Sequence, residues 1–145
     1  MNAIATATSV ARYVNNITGE LRTQGYTSEI TRFEQAEKYG PWTLHLTVYS
    51  RRDKNAACEF ELAIDPADGE GLSAEIPRLD VDFVDKQVPH RRERRAQVRE
   101  QLACALSGCE IDDDFYGYGY GYMIVADALA LAVNGASTDL ADLAA

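Results

Sequence analysis

The side chains able to do chemistry are few and scattered. Two histidines stand at positions 45 and 90, and neither lies near a serine, cysteine or carboxylate pattern that would mark a nucleophilic triad. The cysteines, Cys58, Cys104 and Cys109, form no C-x-x-C pair and have no spacing to histidine that suits zinc. They read as buried free thiols of a reducing compartment, not as a disulfide framework. Gly117, Gly119 and Gly121 alternate with bulky tyrosines and lack the Lys-Ser/Thr that holds phosphate and magnesium. The loop Asp65–Gly71 fails as a calcium site, because placing Gly69 at the sixth position puts Ile64 and Pro66 where oxygen ligands are needed. Asp112, Asp113 and Asp114 are consecutive, and three carboxylates in a row on an extended chain cannot all face one ion. The chain therefore reads as non-catalytic, with no metal and no cofactor.

What remains is charge. The chain has 145 residues and a net charge of −9, and that charge is segregated. Residues 1–64 are neutral, 65–85 carry −6, 86–101 carry +4 and 110–145 carry −7. The basic block holds five arginines in nine residues, Arg91, Arg92, Arg94, Arg95 and Arg99. Placed at a helix start, where positive charge is unfavourable, they call for anionic partners. Asp80, Asp82, Asp85 or Asp112–Asp114 can supply these within the chain. Phosphate contact is the alternative, since Arg suits bidentate anion recognition. The acidic run then passes into Tyr116, Tyr118, Tyr120 and Tyr122, separated by glycines. If extended, that stretch puts four tyrosines on one face, and tyrosine is a residue that interfaces favour.

The elements that position these groups follow from hydrophobic periodicity. Trp42, Leu44, Leu46 and Val48 alternate with Thr43, His45, Thr47 and Tyr49. After a polar break, Cys58, Phe60, Leu62 and Ile64 alternate with Glu59, Glu61 and Ala63. This is a β-hairpin over 42–64. A three-residue loop, Asp53–Lys54–Asn55, pairs Leu44 with Ile64, Leu46 with Leu62, Val48 with Phe60 and Ser50 with Cys58, with Asn55 at positive φ. The other face then pairs Tyr49 with Glu59 and Thr47 with Glu61. Residues 4–24 form a helix with its stripe at Val10, Val14, Ile17 and Leu21, stopped by Gly25. Residues 27–36 and 78–84 read as two further strands, the latter with Asp80 and Asp82 on its outer face. Pro89 opens a helix to Ser107 that buries Val98, Leu102, Ala105 and Leu106. Residues 123–133 form a buried helix stopped at Asn134–Gly135, and 138–144 a short last one.

The fold class is thus α+β over a single domain, 1–145: an antiparallel sheet of about four strands centred on the 42–64 hairpin, with three main helices on one face. No basic-then-apolar opening stretch marks a secretory signal. The apolar run Met123–Val133 is too short to span a bilayer and is broken by Asp127. A cytoplasmic location is expected.

The order helix, strands, then a helix with a basic start resembles in part the double-stranded-RNA-binding domain, which implies RNA contact through Arg91–Arg99. The order, size and acidity are also similar to the small secretion chaperones of type III systems, which implies a dimeric adaptor. No specific motif carries either resemblance, so no family is assigned. The leading expectation is an acidic interaction protein that binds a basic protein surface of a host complex, in the style of the anti-CRISPR and antirestriction inhibitors of phage and mobile elements. Its expected partner-binding residues are Asp80, Asp82, Asp112, Asp113, Asp114, Tyr116, Tyr118, Tyr120 and Tyr122. Direct nucleic-acid or membrane contact is not favoured, and a homodimer is possible.

Overall fold

The computed structural model describes residues 3–38, 40–51, 56–66, 72–73, 79–106, 110–111 and 121–144. In chain order the elements are α1 (Ala3–Thr23), β1 (Tyr26–Gln35), β2 (Trp42–Ser50), β3 (Ala57–Pro66), β4 (Leu72–Ser73), β5 (Leu79–Phe83), α2 (Arg91–Leu106), β6 (Glu110–Ile111) and α3 (Gly121–Ala144). β1, β2, β3 and β5 form an antiparallel sheet in that order. Beyond the reach of β5, the end of β3 pairs with β4, and β4 pairs with β6. The α+β expectation holds, with three helices on one side of the sheet.

Alternation decides which face is buried. Leu44, Leu46, Val48, Cys58, Phe60, Leu62, Ile64, Val81 and Phe83 all lie in one core with Val10, Val14, Ile17 and Leu21 of α1, Val98, Leu102 and Leu106 of α2, and Val125, Leu129 and Val133 of α3. α3 packs against both α1 and α2 and also rests on β2 and β3. A helix enclosed on several sides must be apolar nearly all round. Among residues 124–134 only Ile124, Asp127, Leu131 and Asn134 are exposed, one every three or four residues. The alanines between them, Ala126, Ala128, Ala130 and Ala132, are buried and let neighbouring elements come close. Gln24 at the end of α1 donates through Nε2 to Asp127 Oδ1 of α3 at 2.6 Å.

The hairpin register differs from the expected one by two residues. Trp42 lies opposite Ile64, Leu44 opposite Leu62, Leu46 opposite Phe60 and Val48 opposite Cys58. The turn closes with the Ser50 amide donating to the Ala56 carbonyl at 3.0 Å, which leaves five residues in the loop rather than three. A shift of two keeps every side chain on its face, so the apolar pattern cannot tell the two registers apart. The polar face pays attention to the difference: His45 now faces Glu61 and Thr47 faces Glu59. Asn55, expected at positive φ, lies outside the described residues.

Helix boundaries carry the other corrections. Gly25 does stop α1, with φ of 93° and its amide donating to the Arg22 carbonyl at 3.0 Å. α2 starts at Arg91, not at Pro89. His90 takes φ of 54°, and its carbonyl accepts the first helical hydrogen bond from the Arg94 amide, so Pro89 stays outside the helix. Ala105 is exposed, whereas Val98, Leu102 and Leu106 are buried as expected. α3 runs unbroken from Gly121 to Ala144, through the expected stop at Asn134–Gly135. A glycine inside a helix costs only about 1 kcal/mol relative to alanine, and no proline follows to enforce a break. Cys104 is exposed on α2, against the expectation of buried thiols, while Cys58 is buried and free.

Candidate partner-binding face

With all three helices on one side, the other side of the sheet has none of them over it. Its residues come from the polar half of each strand's alternation: Thr27, Glu29, Arg32 and Glu34 of β1, Thr43, His45, Thr47 and Tyr49 of β2, Glu59 and Glu61 of β3, and Asp80 and Asp82 of β5. A register shift between Ile30 and Arg32 marks a β-bulge in β1. The bulge lets Thr31 reach the groove as well, and its hydroxyl donates to the His45 carbonyl at 3.4 Å. Bulges bend a strand and increase its twist. Here the sheet curves around a concavity of about 210 Å³, walled by Thr31, His45, Thr47, Glu59, Glu61, Asp80 and Arg95 among others.

The carboxylates of this face are not equivalent. Asp82 is held by Arg91 in a two-pronged contact, Nε to Oδ1 at 3.0 Å and Nη2 to Oδ2 at 2.6 Å. Lys86 Nζ adds a bond to Oδ2 at 2.8 Å, and the Phe83 amide donates to Oδ1 at 2.9 Å. Partial burial works to raise the carboxyl pKa. The hydrogen bonds from Arg91, Lys86 and Phe83 overcome it and hold the group down at about 2. Asp80 and Glu59 are bound far more loosely. Arg95 Nη2 stands 3.9 Å from Asp80 Oδ1, and Lys86 Nζ stands 3.9 Å from Glu59 Oε2. Their side chains are about half exposed, 44% for Asp80 and 56% for Glu59. His45 Nε2 is shielded from solvent and lies 3.4 Å from Glu61 Oε2, within ion-pair reach but not aligned as a hydrogen bond.

Two of the five arginines of the basic helix, Arg91 and Arg95, thus find anions inside the chain, among those its sequence position called for. Arg91 and Arg95 are one turn apart on α2 and both reach back to β5. Arg95 Nε donates to the Val81 carbonyl at 2.7 Å, so this arginine also covers the outer edge of β5. Burial of Cys58, reinforced by the charge of Asp82, pushes its thiol up to about 12, which removes it as a nucleophile. Among the described residues, no group of three or more His, Cys, Asp or Glu side chains could hold a metal ion. No helix among them is long and apolar enough to cross a membrane.

No family model, curated protein or solved structure matches this chain. The site therefore rests on its own geometry. Of the residues expected to bind a partner, Asp80 and Asp82 both lie on the groove side, with Asp82 committed to Arg91 and Lys86. Tyr122 lies in the first turn of α3 and packs against the core, so it is helical and not the end of an extended ladder. Asp112, Asp113, Asp114, Tyr116, Tyr118 and Tyr120 lie outside the described residues. Thr31 and Arg95 are groove residues with no direct signal in the sequence, since one depends on a bulge and the other on which side of β5 the helix passes.

Proposed function

We propose that this chain is a non-catalytic interaction protein whose acidic sheet face receives a basic protein surface. The observation that carries the reading is the two-sidedness of the sheet. All three helices serve one face, and the other presents a groove that carries Glu59, Glu61 and Asp80, with Thr47 and Thr31 beside them towards β1. An acidic concavity in which Glu59 and Asp80 are loosely held suits lysine and arginine side chains, and the net charge of −9 would steer such a partner in. Occupying a basic surface that otherwise holds nucleic acid would make the protein an inhibitor, in the manner of anti-CRISPR and antirestriction proteins. An RNA-binding role through α2 is less well supported, because Arg91 and Arg95 are spent on Asp82, Asp80 and the Val81 carbonyl.

The test is a titration of a fluorescent arginine- and lysine-rich peptide with the wild-type chain and with an E59Q/E61Q/D80N variant. Neutralising the groove should weaken binding about tenfold or more, and added salt should weaken the wild type further. A second arm asks whether the wild-type chain releases DNA from a preformed complex with the same peptide. Equal affinity for the two chains, or affinity indifferent to salt, would refute the proposal.

A further inference from the structure

We infer that this chain pairs with a second copy of itself through β1, joining the two sheets edge to edge about a twofold axis. The two outer strands of the four-stranded sheet are treated differently. β5 has α2 packed against it, and Arg95 caps its Val81 carbonyl. β1 has ten residues, pairs with β2 on one side, and among the described residues pairs with no strand on the other. Four consecutive residues at its centre, Glu29, Ile30, Thr31 and Arg32, are exposed. Ile30 is on the helix side of the sheet, opposite Leu46, yet is 41% exposed. A long edge strand with an exposed apolar residue is a template for another strand unless charge or shape forbids it.

On β1 the charges select a partner, and that partner is β1 itself. The bulge places Thr27, Glu29, Arg32 and Glu34 on one face, opposite Tyr49, Thr47, His45 and Thr43 of β2. In an antiparallel twofold pair centred between Ile30 and Thr31, Glu29 faces the partner's Arg32 and Arg32 faces the partner's Glu29. Thr27 then faces the partner's Glu34, and Ser28 faces the partner's Phe33 on the other side of the sheet. Every contact outside the bulge joins residues of the same face, and each charged pair occurs twice, as an isologous interface requires. Without the bulge this register would set opposite faces against each other. The neighbouring register that also matches faces sets Glu29 against the partner's Glu34 twice, a like-charge clash. Arg32 already bonds Glu34 along its own strand, which fixes its guanidinium while using two of five donors. The two Ile30 side chains, each 41% exposed in the monomer, flank the axis.

Sedimentation velocity on the full chain tests this through charge reversal. The wild type should dimerise, while E29R alone and R32E alone should each weaken the dimer about tenfold or more, since each places like charges together at two sites. Mixing the E29R and R32E chains should restore a heterodimer near wild-type strength, because both cross-strand pairs are then attractive. Both substitutions are on exposed positions, and circular dichroism of each variant serves as the check that it is folded. A monomeric wild type at high concentration would overturn the inference. So would a stronger dimer for E29R, which the Glu29–Glu34 register requires, or a mixture no more associated than its parts. The readout is separate from the basic-peptide titration, so either proposal can fail alone.

Discussion

Replacing Asp82 with asparagine tests the electrostatic account of how α2 is fastened to the sheet. The carboxyl is held at about 2 against an ordinary value of 3.8. By linkage, that difference corresponds to about 2 kcal/mol of folding stability at neutral pH. Solvent screens part of it, because the side chains of Asp82 and Arg91 remain 23% and 35% exposed. About 1 kcal/mol is the reasonable net figure for the pair. The folded pKa is depressed, so the stabilisation is fully present above 3.8 and is lost as pH falls through about 2. In urea titrations, D82N should be less stable than the wild type by about 1–2 kcal/mol at neutral pH, the upper end reflecting an Arg91 left without its anion. The gap should shrink as pH falls through about 2, where the wild-type carboxyl is half protonated, and close below it. A double-mutant cycle with R91M should return a coupling of about 1 kcal/mol. A gap that is the same at both pH values would show that the loss is steric, and a coupling near zero would show that Arg91 does not act through Asp82. Either result refutes the reasoning.

Other perturbations follow from burial. Cys58, whose thiol is pushed up to about 12, should resist alkylation in the folded chain at mildly alkaline pH, while the exposed Cys104 reacts, as peptide mapping of the labelled protein will show. Denaturant should make Cys58 as reactive as Cys104. Leu129→Ala removes a side chain with no exposed surface at the junction of α3 with the core and should cost about 2–5 kcal/mol by thermal or urea unfolding. Leu131→Ala, two residues on and 62% exposed, should change stability by less than about 0.5 kcal/mol. Equal effects at the two positions would contradict the orientation of α3.

Much of this architecture is written in local pattern. The alternation of Leu44, Leu46 and Val48 against His45 and Thr47 names both faces of the hairpin, and the spacing of Val10, Val14, Ile17 and Leu21 names the buried stripe of α1. What escapes is whatever depends on a two-residue shift or on a single inserted residue. The hairpin register is ambiguous because period-two patterns look the same after a slip of two, and only the loop between Ser50 and Ala56 breaks the tie. The bulge after Ile30 is invisible for the same reason, although it decides which face Arg32 shares with Glu29. Asn134–Gly135 looks like a helix stop, but packing of α3 against two helices and the sheet outweighs a weak local signal. For the site, the acidic outer face of β5 is readable from Asp80 and Asp82 alone. That Asp82 is already satisfied by Arg91 is not, because it depends on α2 passing back along β5.

The placement of α3 has a consequence for how the chain is made. β1, β2 and β3 are joined by short connections and can pair as soon as they emerge during synthesis. Their apolar face cannot be closed at that stage, because the helix that contacts α1, α2 and the sheet comes last in the described chain. Until about residue 133 has left the ribosome, Leu44, Leu46, Phe60 and Leu62 have only α1 and, once it has emerged, α2 to shelter them. A nascent chain stalled before α3 should therefore be a strong client for ribosome-associated chaperones and a ready substrate for proteolysis, whereas one stalled beyond α3 should be neither.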